Sequence, residues 1–142
     1  ALNLNDESTR VIGVGFQAAV SPDGLWIAIS SEAGLAIVPA NGDDGIMLEP
    51  GGWPSWTPDS QYIVFSGIGQ DSGDSELILV SRDGQYREEL THDPQMDYCP
   101  SISPLGGELV YVKTPDYDVG PFQVRRLKLN TPSPDVRNFG GD

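Results

Sequence analysis

Three segments of this 142-residue chain overlay without a gap. They are residues 18–29 (AAVSPDGLWIAI), 54–65 (PSWTPDSQYIVF) and 100–111 (PSISPLGGELVY). Each carries a small hydroxyl residue, then Pro, then a turn, then an apolar run. The hydroxyl residues Ser21, Thr57 and Ser103 stand 36 and 46 positions apart. Self-similarity at about 40 residues marks a repeat architecture, in which one supersecondary unit stacks on the next.

The rest of each unit keeps one order. A short strand ends at Val20, Trp56 or Ile102. Pro22, Pro58 and Pro104 preset φ for the first corner of a tight turn. Asp23 with Gly24, and Asp59, finish that turn in the first two units. Second strands are expected over 26–30, 62–66 and 109–113, and third strands over 35–38, 77–80 and 124–129. Weaker, polar fourth strands are expected over 46–49, 86–91 and 136–139. Apolar runs of four to six residues, rich in β-branched and aromatic types and bounded by Gly and Pro, read as strands and not helices. Four short antiparallel strands in a unit of this length make the blade of a β-propeller. The expected fold class is all-β, three four-stranded antiparallel propeller blades in a partial or oligomer-completed ring. The divisions are an arm over 1–15 and blades over 16–52, 53–97 and 98–142.

Ser21-Pro22-Asp23-Gly24 followed by Trp26-Ile27-Ala28 resembles the TolB-type propeller repeat, whose hallmark is Pro-x-Trp-Ser-Pro-Asp-Gly before an apolar strand. Pro54-Ser55-Trp56-Thr57-Pro58-Asp59 is nearly that pattern. Leu90-Thr91, Asp93-Pro94, Asp97 and Pro100 fall where the family tends to have Leu-Thr, an acidic loop and Pro. The resemblance covers about residues 10–139. It implies the fold, and it leans towards the periplasm or the cell exterior. It does not imply a function, because such blades serve many proteins. The chain departs from the pattern at Ala18 and Val20, at Ser60 in place of Gly, and at Leu105 in place of Asp.

Closed propellers usually have four to eight blades, and this chain carries three. Three blades leave two open apolar faces and free sheet edges, which proteins normally cover. A longer chain, a two-fold pair forming a six-bladed ring, or head-to-tail association would each cover them. A spare segment around Val11 and Ile12 is expected to act as an outer strand, completing a sheet that is not its own. Arg125 and Arg126, with Lys128, are the main cationic spot in an acidic chain and a candidate contact for another copy.

The formal net charge of −13 argues against nucleic acid and anionic membrane surfaces as partners. No run approaches the 18 apolar residues that a spanning helix needs. One cysteine, Cys99, cannot form an internal disulfide framework. Its neighbours Asp97 and Tyr98 supply no positive charge to activate a thiolate. His92 is the sole histidine and has no Cys-x-x-Cys or His-Glu-x-x-His companions. No Gly-x-Ser-x-Gly nucleophile elbow occurs, so no catalytic residue and no organic cofactor are expected. The loop bearing Asp71, Asp74 and Glu76 is the candidate metal site, with oxygen ligands suited to calcium. Asp23 and Asp59 recur at equivalent turns and are read as turn-forming acceptors of backbone N–H bonds. Trp56 is read as core, while Trp53, near the mouth of an inner strand, is left open as a sugar or peptide platform.

The expected function is therefore non-catalytic protein–protein interaction, with self-assembly into a ring or an extracellular filament as its concrete form. The alternatives are the propeller part of a larger secreted hydrolase, such as a prolyl-oligopeptidase-like enzyme, and a ligand- or calcium-binding propeller.

Overall fold

The computed structural model describes residues 10–132 and contains no helix among them. Strands β1 (Gln17–Val20), β2 (Trp26–Ser31), β3 (Gly34–Pro39) and β4 (Ile46–Met47) form the first sheet in that order. Strands β5 (Gly51–Trp56), β6 (Tyr62–Ile68), β7 (Ser75–Ser81) and β8 (Arg87–Glu89) form the second. Strands β9 (Met96–Ile102), β10 (Glu108–Thr114) and β11 (Gln123–Lys128) form the third. Every pairing is antiparallel between sequence neighbours, so each sheet is a meander. The fourth strand expected over 136–139 and the tail before residue 10 lie outside the described residues.

The Ser-Pro-Asp turn closes on itself through one repeated set of bonds. Ser21 Oγ donates to Asp23 Oδ1 at 2.5 Å and accepts from the Trp26 N–H at 3.0 Å. The Leu25 N–H donates to the same Asp23 carboxylate at 3.0 Å. Thr57, Asp59, Gln61 and Tyr62 repeat the arrangement at 2.6, 3.0 and 3.0 Å. Ser81, Asp83, Gln85 and Tyr86 repeat it again in the β7–β8 turn. In the third blade Leu105 stands where the carboxylate would, none of these three side-chain bonds forms among the described residues, and the Leu105 N–H meets Ser103 Oγ at 3.3 Å while the backbone bonds of the turn persist.

Ser60 replaces the glycine of this turn and holds φ at 59°. A side chain there costs about 1 kcal/mol. Its hydroxyl offsets this by accepting the Asp23 N–H of the preceding blade's turn at 3.0 Å. The departure from the repeat pattern thus ties two turns together.

Blade packing follows from strand alternation, which sends successive side chains to opposite faces. On β6, Ile63 and Phe65 point into a seam with Ala28, Leu35 and Ile37 of the first blade. Tyr62 and Val64 point into a second seam with Ile102, Leu109 and Tyr111 of the third. Both faces of the middle blade are covered, so β6 and β7 are buried along most of their length, with apolar centres at residues 62–65 and 77–80. Large meets small across the first seam. The Trp56 ring packs by Ala19, and its Nε1 donates to the Ala19 carbonyl at 2.9 Å.

The inner strands carry a kink that the repeat alignment did not announce. Trp53 and Cys99 hold φ at 51° and 53°, each just before a proline. The register slips between Gly52 and Ser55, and again where β10 passes Tyr98 to Ser101. Pro54 and Pro100 have no N–H to donate to the ladder, which suits a bulge. In the first blade Ala18 takes the proline position, and β1 pairs with β2 without interruption.

Candidate functional site

Residues 10–15 take no strand pairing. They lie across the outer face of the first blade. Arg10 Nη2 donates to the Asn41 carbonyl at 2.6 Å, anchoring one end. A Cβ at Gly13 or Gly15 would come within 2.7 or 2.5 Å of the Ile29 side chain, so the backbone itself sits on Ile29. Val11 and Ile12 line a groove of about 530 Å³ with Phe16, Val20, Ile27 and Ile29. In the single chain the segment is an arm over its own blade.

The opposite end has no such cover among the described residues. Val110 on β10 is 42% exposed, whereas its repeat counterpart Val64 is fully buried against the third blade. Val124 pairs with Val112 and shares this open face. Arg126 pairs with Val110 on it, its Nε 3.7 Å from the Glu108 carboxylate. Arg125 points to the other side of β11 by strand alternation, and donates to Gln123 Oε1 at 2.6 and 3.1 Å. The two arginines do not form one patch.

Asp71, Asp74 and Glu76 do not meet either. Glu76 turns into the protein, where it is fully buried and accepts from Thr91 Oγ1 at 2.6 Å and Ser72 Oγ at 3.1 Å. Among the described residues no three His, Cys, Asp or Glu side chains gather as a metal site. Glu76 belongs instead to a polar knot beneath the second and third blades. Lys113 is buried there, ion-paired with Asp93 and lying 2.9 Å from Asp97. Burial pushes the Glu76 and Asp97 carboxyls up from their ordinary range. Burial also pushes Asp93 up, but its bonds from Lys113 and the Gln95 N–H hold it below its ordinary value. Burial works against the Lys113 ammonium, yet the two aspartates raise it overall.

His92 is exposed, its Nδ1 3.5 Å from Glu89. Burial pushes the Cys99 thiol up, away from the thiolate. Trp26 lies under the Arg82 guanidinium, 4.7 Å from its ring centroid, and Trp56 is core. Trp53 is the tryptophan that faces the inner mouth. Its ring lies 5.7 Å from Tyr98, which in turn stacks on Tyr117 at 4.6 Å. Gln17 Oε1 accepts the Trp53 N–H at 2.7 Å and fixes the bulge from the first blade. A cavity of about 560 Å³ opens beside Trp53, with Phe16, Ser66, Ile68 and Tyr117 in its wall.

No family model matches the chain. Over 115 residues it is 29% identical to the Protein TolB homolog of Chlorobium luteolum, covering 73% of this chain and 25% of that protein. The TolB structure from Acinetobacter baumannii superimposes with a TM-score of 0.66 at 20% identity, over 81% of this chain and 30% of that one. The tricorn protease superimposes with a TM-score of 0.59 at 16% identity, over 80% of this chain and 13% of that one. The three sheets are TolB-like propeller blades.

The chain spans about a quarter of the length of the curated TolB homolog it matches. Its departures from the TolB-like repeat now have places. Ala18 removes the inner-strand bulge from the first blade, and Leu105 removes the turn carboxylate from the third. Of the residues at this mouth, the sequence points to Trp53 alone. Phe16, Ser66, Tyr98 and Tyr117 come from four separate segments of these TolB-like blades, and no spacing in the sequence links them.

Proposed function

We propose that the chain is a non-catalytic interaction module, acting in the periplasm or outside the cell, whose open ring is completed by blades of another copy. The observation that carries this is the contrast between Val110 and Val64. They occupy one repeat position, yet the first is 42% exposed and the second fully covered by the next blade. A face built to be a seam therefore stands open, and an exposed apolar face of this kind is normally an interface. At the other end Ile27 and Ile29 repeat Ile63 and Phe65, and the arm with Val11 and Ile12 occupies the place a preceding blade would take. Exchanging the arm for the outer face of a second copy's third blade joins the two ends. Two such contacts close a ring of six blades, and unclosed repetition builds a filament.

Light scattering behind size exclusion tests this reading. The expected native mass is a multiple of the 15.3 kDa chain, and Val110→Glu with Val124→Glu returns it to the single-chain value. A dispersed wild-type monomer overturns the reading.

A second reading is the propeller part of a larger secreted hydrolase. The similarity to part of the tricorn protease favours it, and so does the short span of the TolB homolog that the chain covers. Coding sequence for a catalytic domain beside this segment decides between the two.

A further inference from the structure

We infer that the cavity at the inner mouth is a binding site for a neutral sugar ring, independent of whether the chain assembles. A pyranose presents a C–H face that packs on an aromatic ring, and a rim of hydroxyls that needs hydrogen-bonding partners. The cavity offers both. Trp53 and Tyr117 are 39% and 40% exposed, on either side of the buried Tyr98 that connects them. Rigid aromatic rings held by such contacts give large contact area at little entropic cost.

The polar groups in the wall are neutral. Ser66 lines the cavity and is 4% exposed, with its hydroxyl oxygen buried behind the wall and, like that of its repeat counterpart Ser30, without a hydrogen-bond partner among the described residues. Gln17 uses Oε1 on the Trp53 N–H, which leaves its amide hydrogens to donate. Among the described residues no charged side chain lines the cavity. That disfavours a phosphate or a carboxylate as the recognised group, because each would be desolvated without a counter-charge. The volume, about 560 Å³, lies in the ordinary range for small-ligand sites.

The bulge explains why the site is in the second blade. Trp53 and Cys99 share the same left-handed backbone position, so the conformation belongs to the fold. A tryptophan at that position in blade 2 puts an indole at the mouth, where blade 3 has a cysteine.

Isothermal titration of the purified chain with maltotriose, cellotriose and triacetylchitotriose tests the inference, with the neutral peptide acetyl-Ala-Pro-Phe-amide in parallel. At least one sugar is expected to give saturable heat with a dissociation constant tighter than about 10 mM. Trp53→Ala and Tyr117→Ala are each expected to weaken it about tenfold. Tyr117 lies outside every strand, so its variant reads binding even where Trp53→Ala disturbs the bulge. Saturation by none of the three sugars overturns the assignment. So does saturation by the peptide alone, or sugar binding that neither Trp53→Ala nor Tyr117→Ala changes.

Discussion

The guanidinium of Arg87 straddles the seam between the first two blades, with Nε 2.5 Å and Nη2 2.9 Å from the two carboxylate oxygens of Glu49. Arg87 starts the outermost strand of the second blade, and Glu49 follows the outermost strand of the first. The pair clamps the rim where apolar contact is thinnest. Its bond to Glu49 pushes the Arg87 pKa further up, against the cost of burial. Both side chains are about a quarter exposed, so solvent screens part of the attraction. Arg87→Met is expected to cost about 1 kcal/mol in urea unfolding. A double-mutant cycle with Glu49→Gln should return a coupling of similar size, and additive effects would show that the clamp contributes nothing.

Glu76 and Asp97 make the fold pH-sensitive in the direction opposite to surface carboxylates. Burial raises both folded values above the unfolded ones. The folded state then holds more protons through that window, so stability falls as pH rises through it. Glu76→Gln removes the buried charge and keeps an oxygen for Thr91. It is expected to flatten the difference in stability between about pH 5 and about pH 8. An unchanged difference in thermal melts at the two pH values would refute this.

Lys113 is the counter-ion that makes the buried Asp97 tolerable. Its folded pKa is raised, so its contribution is complete below the unfolded lysine value and is lost only in alkaline solution. Lys113→Met leaves Asp97 buried and unpaired, at an expected cost of about 3 kcal/mol or more near neutral pH. The deficit should shrink on acidification, as Asp97 takes a proton. Chemical denaturation across pH checks both the size and the trend.

Leu105 is almost wholly exposed in a turn where the other two blades use aspartate. Leu105→Asp restores an acceptor for Ser103 Oγ and the following backbone N–H. The expected gain is about 1 kcal/mol, the usual net worth of such bonds. A rise in melting temperature at neutral pH, absent once the new carboxylate is protonated, is the expected signature.

Gly15 marks where the arm touches the blade. Gly15→Val would collide with Ile29, so the arm should lift. Faster proteolysis after Arg10 and stronger dye binding at Ile27 and Ile29 are expected. If the arm holds back assembly, the same variant shifts the native mass upwards.

The blade is legible in the amino-acid order alone. Alternation on β6 sends Ile63 and Phe65 one way and Tyr62 and Val64 the other, and a period of two is legible without coordinates. The Ser-x-Asp turns were legible for a similar reason, since each is closed by residues within five positions of one another. Tertiary structure decided everything that depends on distant segments meeting. It turned Glu76 inward to Thr91, away from Asp71 and Asp74, because a strand residue takes the face its register dictates. It separated Arg125 from Arg126 by the same rule. It laid Val11 and Ile12 over Ile29, where the glycines at 13 and 15 allow the backbone to approach. It also gathered Phe16, Trp53, Ser66 and Tyr117 at one mouth, which required the bulge at Trp53 and the neighbouring blades to be in place first.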